Sequence, residues 1–433
     1  LQQTQDWISV KFKNKPDVAK ANTLALQAGY NYAITIELFQ ERYHVPSAVL
    51  PSGEYRQITG NQALALGCVA ASNRSGLSLL YSSYPITPAS DILHELAQYK
   101  NFNIKTIQAE DEIAAVSSSI GSAFGGVLAV TGTSGPGLDL KSEALGYAVM
   151  TELPVVLLNV QRGGPSTGLP TKAEQTDLLA AMYGRHGEAP VPVLAPATPG
   201  DCFFMVLEAF RIALKYMTPV IVLSDGGLAN ASEPWKIPEV DKLPDLTPDF
   251  HTDPENFSPY HRNQQTLARN WAVPGTPGLE HRIGGLEKDI ESGEINYEPE
   301  NHEKMVLLRD QKIKRIVQDL PPLEIIGAEK NELLLLTWGS VFGPAFSAIE
   351  GLQAEGHAVS MLHLRHLFPF QQELGQILRN FEQVLVPEMN LGQLSRLLRA
   401  EYLVDTISFS KLQGRPFLIS EIRNRVLEIL GET

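Results

Sequence analysis

Short, unbroken apolar runs that alternate with helix-like stretches constrain the fold of this chain more than any other feature. The runs lie at 77–82, 127–132, 154–160 and 219–224. Consecutive apolar residues over so short a length are typical of strands that are buried on both faces. Helix-like stretches separate or flank these runs at 61–73, 89–99, 111–125, 137–150 and 200–216. The alternation predicts an α/β fold with a doubly wound, mostly parallel sheet.

The rest of the chain predicts a second domain reached through a long excursion. Eleven of the 29 prolines lie between residues 234 and 322, where no periodicity is sustained, so we expect a surface segment with one charged helix near 302–318. Apolar runs then return at 332–340, 358–364 and 383–388, with helices near 343–355 and 419–431. The expected parts are 1–54, a partial piece and linker; 55–233, the first α/β domain; 234–322, the excursion; and 323–433, a smaller α/β domain.

Composition and charge exclude several classes of function. The formal net charge of −14 argues against nucleic-acid and anionic-membrane partners, and no run of about 18 apolar residues predicts a membrane span. The two cysteines, Cys68 and Cys202, cannot supply the four ligands of an ordinary iron–sulfur cluster. We expect them to be buried free thiols of a cytoplasmic protein. The ten histidines show no metal-ligand spacing, so no metal site is predicted, and His363 and His366 are interpreted as structural or interface residues.

Four polar or glycine-rich segments follow predicted strands, at 81–88, 109–112, 131–138 and 159–171. In open α/β sheets, sites form at the carboxyl ends of the strands, so these segments are expected to converge. Each has an ordinary alternative. Acids at the start of a helix are stabilised by its dipole, which accounts for Asp111 and leaves Glu112 open. The glycine-rich turn could be a plain strand-to-helix connection, and Arg162 could be a surface residue. The turn at 338–340 is interpreted as packing.

The order of the motifs adds a resemblance. The series YPITP (84–88), EDEIAA (110–115), TGTSGPG (131–137) and QRGGPSTGLPTK (161–172) resembles the alpha subunit of 2-oxoacid:ferredoxin oxidoreductases, and most closely the 2-oxoglutarate branch. The resemblance extends over nearly the whole chain from about residue 55. Residues 10–40 resemble the tail of a gamma domain that some members fuse in front of alpha. The first residue, Leu1, accordingly predicts that the sequence begins inside a longer polypeptide.

The resemblance implies a divided active site. The alpha subunit supplies the pyrimidine-binding domain for thiamine diphosphate, followed by a smaller domain like the C-terminal domain of transketolase. A beta subunit supplies the diphosphate and Mg²⁺ site and a [4Fe–4S] cluster. The implied reaction is the coenzyme A-dependent oxidative decarboxylation of 2-oxoglutarate to succinyl-CoA and CO₂ with reduction of ferredoxin. The implied assembly is an αβ pair or a dimer of such pairs.

The resemblance also implies roles for individual residues. Glu112 is the carboxyl group against N1′ of the aminopyrimidine, and it is preferred over Glu110 because nine residues separate it from Gly121, as in related pyrimidine domains. A buried glutamate with a raised pKa suits that task. The other expected cofactor contacts are Tyr84, Pro85, Ile86, Ser134 and Gly135. Expected substrate contacts are Thr87, Arg162, Thr171 and Lys172, with Arg162 holding the 2-oxoacid carboxylate and Lys172 meeting a second carboxylate.

Two other hypotheses stay open at this point. Pyruvate or a branched-chain 2-oxoacid is the alternative substrate within the same family. The alternative from another functional class is a non-catalytic scaffold, which would dock the beta subunit and an electron carrier. The presence of Glu112, Thr87 and Arg162 disfavours this alternative. Ala89, where many relatives have serine, is the one small departure from the family pattern, and no lost function is expected from it.

Overall fold

The computed structural model describes residues 1–37 and 46–432, and the chain separates into two compact units, residues 1–53 and the remainder. In the first unit, two helices are described: α1 (Gln2–Lys11) and α2 (Pro16–Thr35). Pro16 stands at the first position of α2, where its missing N–H leaves no hydrogen bond unmade. Residues 38–45 lie outside the description, so the linker expected within residues 1–54 and the gamma-like segment at 10–40 are covered only in part.

The second unit alternates strands and helices along most of its length. Its first half contains β1 (Tyr55–Thr59), α3 (Gly60–Ser75), β2 (Leu79–Ser83), α4 (Ser90–Leu96), β3 (Ile104–Gln108), α5 (Glu112–Phe124), β4 (Leu128–Thr133), α6 (Gly135–Leu140), α7 (Ser142–Thr151), β5 (Val155–Gln161), α8 (Leu178–Tyr183), β6 (Val193–Leu194), α9 (Asp201–Tyr216), β7 (Val220–Asp225), α10 (Gly226–Asn230) and β8 (Ser232–Lys236). After a long segment without α-helix follow α11 (Pro299–Arg315), β9 (Ile325–Ile326), β10 (Asn331–Trp338), α12 (Phe342–Ala354), β11 (Val359–Leu364), β12 (His366–Phe368), α13 (Leu374–Arg379), β13 (Phe381–Glu388), α14 (Gln393–Tyr402), β14 (Ile407–Ser410) and α15 (Ile419–Leu430).

The larger sheet has seven strands in the order β12-β6-β7-β5-β4-β2-β3. All neighbours are parallel except β12, which runs antiparallel to β6. The four apolar runs predicted from the sequence form β2, β4, β5 and β7, which are buried along their whole length. The edge strand β3 is missing from the prediction because Lys105, Thr106 and Gln108 interrupt the apolar run that a central strand would show. The predicted doubly wound α/β fold is confirmed.

The smaller sheet has five strands in the order β14-β13-β10-β11-β9, and only β9 is antiparallel to its neighbour. The runs predicted at 332–340, 358–364 and 383–388 form β10, β11 and β13, and the predicted helices form α12 and α15. The strand β12 leaves this part of the chain to pair with the larger sheet. Because one strand that follows residue 323 belongs to the larger sheet, the domain boundary expected at residue 323 stays a prediction.

The segment between β8 and α11 is held on the larger sheet by a buried ion cluster. Glu152, at the end of α7, accepts hydrogen bonds from both terminal nitrogens of Arg262 at 2.8 and 2.6 Å and from Lys312 Nζ at 2.6 Å. Arg269 Nε donates to the Glu152 carbonyl at 3.1 Å. Burial disfavours the charged carboxylate, but Lys312 and Arg262 together hold the pKa of Glu152 below its usual range.

Replacing Glu152 with glutamine is expected to destabilise the chain by about 3–5 kcal/mol, because Arg262 and Lys312 would stay buried without their counter-ion. Chemical unfolding measures the change. The same replacement of Glu355, which pairs with Arg423 at the exposed surface, is the control and is expected to alter stability by about 1 kcal/mol or less. Equal effects at the two positions would contradict a structural role for the buried cluster.

The two cysteines and the membrane expectation can be checked on the described residues. Cys68 and Cys202 are both buried and free, as predicted. None of the helices in residues 1–37 and 46–432 combines the length and apolar character that a membrane crossing requires.

Candidate active site

The carboxyl ends of β2, β3, β4 and β5 lie along one edge of the larger sheet, and the four polar segments follow them. The parallel register places Ser83 beside Gln108 and Thr133 beside Asn159 at these strand ends. Parallel neighbours end at the same edge, so the loops that leave them approach one another. The convergence expected from the order of the motifs is therefore present in the fold.

Tyr84, Thr133 and Glu112 meet around Gly137. The hydroxyl groups of Tyr84 and Thr133 are 3.0 Å apart and buried. A Cβ atom on Gly137 would lie 2.0 Å from the Tyr84 hydroxyl, 2.2 Å from Thr133 Oγ1 and 3.1 Å from Glu112 Cγ. Only glycine fits at this position. Burial raises the pKa of the Tyr84 phenol, and the neighbouring Glu112 carboxylate raises it further.

Glu112 and Asp111 have separate tasks at the start of α5. Asp111 is the N-cap, and its Oδ1 accepts a hydrogen bond from the backbone N–H of Ala114 at 2.8 Å. This is the stabilisation by an acidic residue that the sequence predicted for Asp111. Glu112 is the first helical residue and is half-buried, whereas Glu110 is exposed. Glu112, for which the sequence predicts a buried environment, is half-buried in the part of the chain that the structure describes.

Arg162 connects the end of β5 to the YPITP loop. Its side chain is buried, and Nη1 donates a hydrogen bond to the Thr87 carbonyl at 2.6 Å. Its Nε atom is buried without a partner, and the same holds for Ser134 Oγ at the start of α6. Unpaired buried polar atoms are rare, so both are candidates for contacts to a bound molecule. The interpretation of Arg162 as a surface residue is wrong, since its guanidinium packs beneath the loop.

The other predicted contacts are placed less centrally. Pro85 and Thr87 are exposed, and Ile86 is half-buried, with its N–H donating to Ser90 Oγ at 2.9 Å. Thr171 and Lys172 are exposed on a hairpin in which Gly163 N donates to the Lys172 carbonyl at 3.0 Å. The structure therefore brings Tyr84, Glu112, Ser134, Gly135 and Arg162 to one edge, while Thr171 and Lys172 project from the rim.

Asp177 is a polar residue of this edge that the sequence analysis did not identify. Its carboxylate accepts hydrogen bonds from Asn159 Nδ2 at 2.9 Å and from Thr176 Oγ1 at 3.1 Å. A Cβ atom on Gly135 would lie 3.1 Å from Asp177 Oδ2. Burial raises the pKa of Asp177 to about 6, against the effect of those two hydrogen bonds. The only sequence signal is its place shortly after the motif that ends at residue 172.

The smaller sheet fixes the segment that carries Asp177. Gln175 is fully buried and donates from Nε2 to the Trp338 carbonyl at 2.9 Å, while its Oε1 accepts from Met389 N at 3.1 Å. Trp338 Nε1 in turn donates to Glu388 at 3.2 Å. The turn at 338–340 is therefore a packing element, as predicted, and it also holds the loop that follows Arg162.

His363 and His366 are structural, as predicted. His363 Nδ1 lies 2.9 Å from Thr337 Oγ1, and burial lowers the pKa of His363 to about 3. His366 Nε2 is 3.1 Å from a carboxylate oxygen of Glu208. Within the described ranges, no group of three or more His, Cys, Asp and Glu side chains is arranged to hold a metal ion.

The edge has the donor set that an aminopyrimidine ring needs. The ring requires a carboxyl group at one nitrogen and polar partners around its remaining edge. Glu112 supplies the carboxyl group, the unpaired Ser134 Oγ is a polar partner, and the missing side chain of Gly137 lets Glu112 lie close to Tyr84 and Thr133. The residues present therefore fit thiamine diphosphate bound through its pyrimidine.

A cavity of about 790 Å³ lies next to this edge, between α5 and α7. Its lining is mostly apolar and includes Ile113, Ile120, Leu140, Tyr147 and Ile283. Ile113 and Leu140 are each more than half exposed, and Ile113 directly follows Glu112. An exposed apolar surface that includes Ile113 and Leu140 therefore lies next to the half-buried Glu112.

Two sequence families match the chain. The thiamine diphosphate-binding domain of pyruvate flavodoxin/ferredoxin oxidoreductases matches residues 76–298, and core domain II of pyruvate:ferredoxin oxidoreductase matches residues 331–422. The first match includes all the strand-end residues described above and most of the long segment anchored at Glu152. Fold, site and matches define a thiamine diphosphate-binding chain of the oxidoreductase class.

Similar proteins and a solved structure indicate the branch of the family to which the chain is most similar. The 2-oxoglutarate oxidoreductase subunit KorA of Mycobacterium tuberculosis is 56% identical over 98% of this chain and 64% of its own length. The 2-oxoglutarate synthase subunit KorA of Archaeoglobus fulgidus is 35% identical over 78% of this chain and 89% of its own. The structure of 2-oxoglutarate:ferredoxin oxidoreductase from Magnetococcus marinus with 2-oxoglutarate, coenzyme A and succinyl-CoA bound is 34% identical and superposes with a TM-score of 0.89, covering 98% of this chain and 73% of that one.

The chain belongs to the 2-oxoacid:ferredoxin oxidoreductase family. The chain spans only part of some relatives. It covers 64% of the length of the Mycobacterium protein and 61% of the length of an alpha subunit of 2-oxoacid:ferredoxin oxidoreductase from Aeropyrum pernix, which is less than two thirds of each. Family and fold are those expected from the sequence motifs. The assignment of residues 10–40 to a gamma-domain tail stays a prediction.

Proposed function

We propose that this chain is the alpha subunit of a cytoplasmic 2-oxoglutarate:ferredoxin oxidoreductase, which converts 2-oxoglutarate and coenzyme A into succinyl-CoA and CO₂ and passes two electrons to ferredoxin. The observation that carries the proposal is the meeting of Glu112, Tyr84 and Thr133 around Gly137, one strand away from the buried Arg162. Relatives named for 2-oxoglutarate support the choice of substrate.

Thiamine diphosphate, when bound, would supply a nucleophilic carbon for addition to the 2-oxoacid carbonyl and a cationic ring that takes up the electron pair left by decarboxylation. Glu112 is proposed to hold a proton against N1′ of the pyrimidine. Ser134 and the backbone at Gly135 orient the ring's other polar edge. Tyr84, with Pro85 and Ile86 after it, forms the wall beside the ring, and burial keeps its phenol protonated at neutral pH.

Arg162 is proposed to bind the 2-oxoacid carboxylate. Its Nη1 is used by the Thr87 carbonyl, and its unpaired Nε remains for a carboxylate oxygen. Thr87 is exposed on the same loop, and its hydroxyl is proposed to face the reacting carbonyl or the incoming thiol. Thr171 and Lys172 on the rim are proposed to contact the far end of the substrate, where 2-oxoglutarate, unlike pyruvate, carries a second carboxylate.

A beta subunit is proposed to complete the site with Mg²⁺, the diphosphate-binding residues and a [4Fe–4S] cluster. The half-buried Glu112 and the exposed apolar side chains of Ile113 and Leu140 beside it support a covering partner. An αβ pair, or a dimer of such pairs, is the proposed assembly.

The test is an anaerobic assay of the chain co-expressed with its beta subunit. Reduction of a low-potential dye is followed with coenzyme A and 2-oxoglutarate, pyruvate or a branched-chain 2-oxoacid. Turnover that prefers 2-oxoglutarate supports the proposal. A preference for pyruvate would contradict the assignment of 2-oxoglutarate as the substrate and would agree with the pyruvate in the description of the matched family. A cofactor-loaded complex without turnover on any of them would favour the scaffold hypothesis.

A further inference from the structure

Lys141 is buried next to Glu112, and no step described so far uses it. The residue is fully buried at the junction of α6 and α7. Its Nζ atom donates to the Glu112 carbonyl at 2.9 Å and to Thr131 Oγ1 at 3.0 Å, and it lies 5.4 Å from the centre of the Tyr84 ring. One ammonium group thus connects the helix start that carries Glu112, strand β4 and the YPITP loop.

A lysine at this buried position is unfavourable on electrostatic grounds. Among the ion pairs of the described part of the chain, none includes Lys141, so the charge is buried without a carboxylate in contact. It also lies beside the amino end of α5, where the helix dipole is positive and an extra cation is unfavourable. A neutral side chain would fill the space at lower electrostatic cost. Packing alone therefore does not explain the lysine.

The charged and titratable groups that face Lys141 are few. Asp111 and Glu112 come from α5, and the Tyr84 phenol comes from the loop after β2, while strand β4 contributes only the neutral Thr131. Burial lowers the pKa of Lys141 to about 7, against the opposing effect of Glu112 and Asp111. The group can therefore change charge near neutral pH, where its effect on Glu112 would change with it.

We propose that Lys141 is a positioning residue for Glu112, which fixes the backbone at the first residue of α5 and places a positive charge beside the pyrimidine that Glu112 contacts. This inference rests on the proposed function, because it assigns the bound group to thiamine diphosphate. It concerns the charge around the bound pyrimidine and leaves the choice of 2-oxoacid untouched.

Three substitutions separate the two parts of the proposal. Lys141→Met removes both the charge and the hydrogen bond to the Glu112 carbonyl. Lys141→Gln removes the charge and keeps a donor, and Lys141→Arg keeps the charge. Lys105→Met, on the exposed part of the edge strand β3, is the control for loss of a lysine. All are made in the αβ complex loaded with thiamine diphosphate and Mg²⁺.

The first measurement is the near-ultraviolet circular dichroism of the bound aminopyrimidine as a function of pH, which reports its tautomer without turnover. Removing a positive charge beside the bound pyrimidine favours its protonated form, so the transition midpoint is expected to move upward by about one pH unit in Lys141→Gln. Lys141→Arg and Lys105→Met are expected to keep the wild-type midpoint. An unchanged midpoint in Lys141→Gln would overturn the inference.

The second measurement is the affinity for thiamine diphosphate with Mg²⁺. Loss of the bond that fixes the start of α5 is expected to weaken binding about tenfold in Lys141→Met and less in Lys141→Gln. Wild-type affinity for thiamine diphosphate in both Lys141→Met and Lys141→Gln would contradict a positioning role for Lys141. If Lys141→Met does not fold, the glutamine and arginine variants decide. A wild-type complex that binds the cofactor and shows no turnover with any 2-oxoacid would overturn the proposed function instead.

Discussion

Replacing Glu112 with glutamine in the αβ complex is expected to lower turnover with every 2-oxoacid by at least about 100-fold, the lower range of what a positioned acid–base group contributes. The amide is nearly the same size and keeps the helix start, so the loss would come from the missing proton exchange with the pyrimidine. Dye reduction under saturating coenzyme A measures it. Cofactor affinity is expected to fall far less than turnover.

Glu110→Gln is the matched control, since this residue lies two positions before Glu112 and is exposed. It is expected to leave turnover within about twofold of the wild type, because a surface substitution away from a site has small effects. Full activity of Glu112→Gln would remove the catalytic assignment. Equal losses in both variants would indicate that the acidic segment acts through folding or partner contact.

Replacing Arg162 with lysine is expected to raise KM for the 2-oxoacid by about tenfold or more. Lysine keeps the charge but has all its donors on one nitrogen, so it cannot reproduce the planar fork in which Nη1 bonds the Thr87 carbonyl while Nε is left for a carboxylate. Affinity for thiamine diphosphate is expected to stay the same, because the pyrimidine contacts lie on other strands. Arg56→Lys, the same change at an exposed position of β1, is the control.

The substrate dependence of a second variant sharpens this expectation. Arg162 contacts the carboxylate shared by all 2-oxoacids, so Arg162→Lys should impair 2-oxoglutarate and pyruvate alike. Lys172→Met should raise KM for 2-oxoglutarate alone, since only that substrate has a second carboxylate for the rim. An equal effect of Lys172→Met on both substrates would remove Lys172 from the substrate contacts.

The pH dependence of stability offers a check on the buried Glu152 cluster. The pKa of Glu152 is depressed in the folded chain, so its contribution to stability is present above the unfolded carboxyl pKa and is lost as pH falls through the folded value. Burial lowers the pKa of Lys312 to about 8 against the attraction of Glu152, so the unfavourable contribution of Lys312 develops as pH falls from its ordinary pKa of 10.5 to about 8 and does not change in the acid range. The carboxylate therefore carries the acid sensitivity of this anchor.

Patterns along the chain were sufficient for the central strands. The runs that became β2, β4, β5 and β7 are buried on both faces, so most of their positions are apolar and the signal is strong, while their polar residues stand toward the carboxyl ends. Edge and two-residue strands such as β3 and β6 give no such signal. The helix predicted at 137–150 is divided into α6 and α7 around Lys141, a break that local sequence does not show because it depends on bonds to β4 and α5.

The sequence by itself determined the order of the strand-end motifs, and with it the family and the candidate acid Glu112, because parallel strands bring their carboxyl ends to one edge. Only the tertiary structure decided which polar atoms meet there. Arg162 turned out to be buried against Thr87, Asp177 came close to Gly135, and Lys141 came to lie beneath Glu112. These contacts join segments far apart along the chain, and their distances depend on packing that no local pattern encodes.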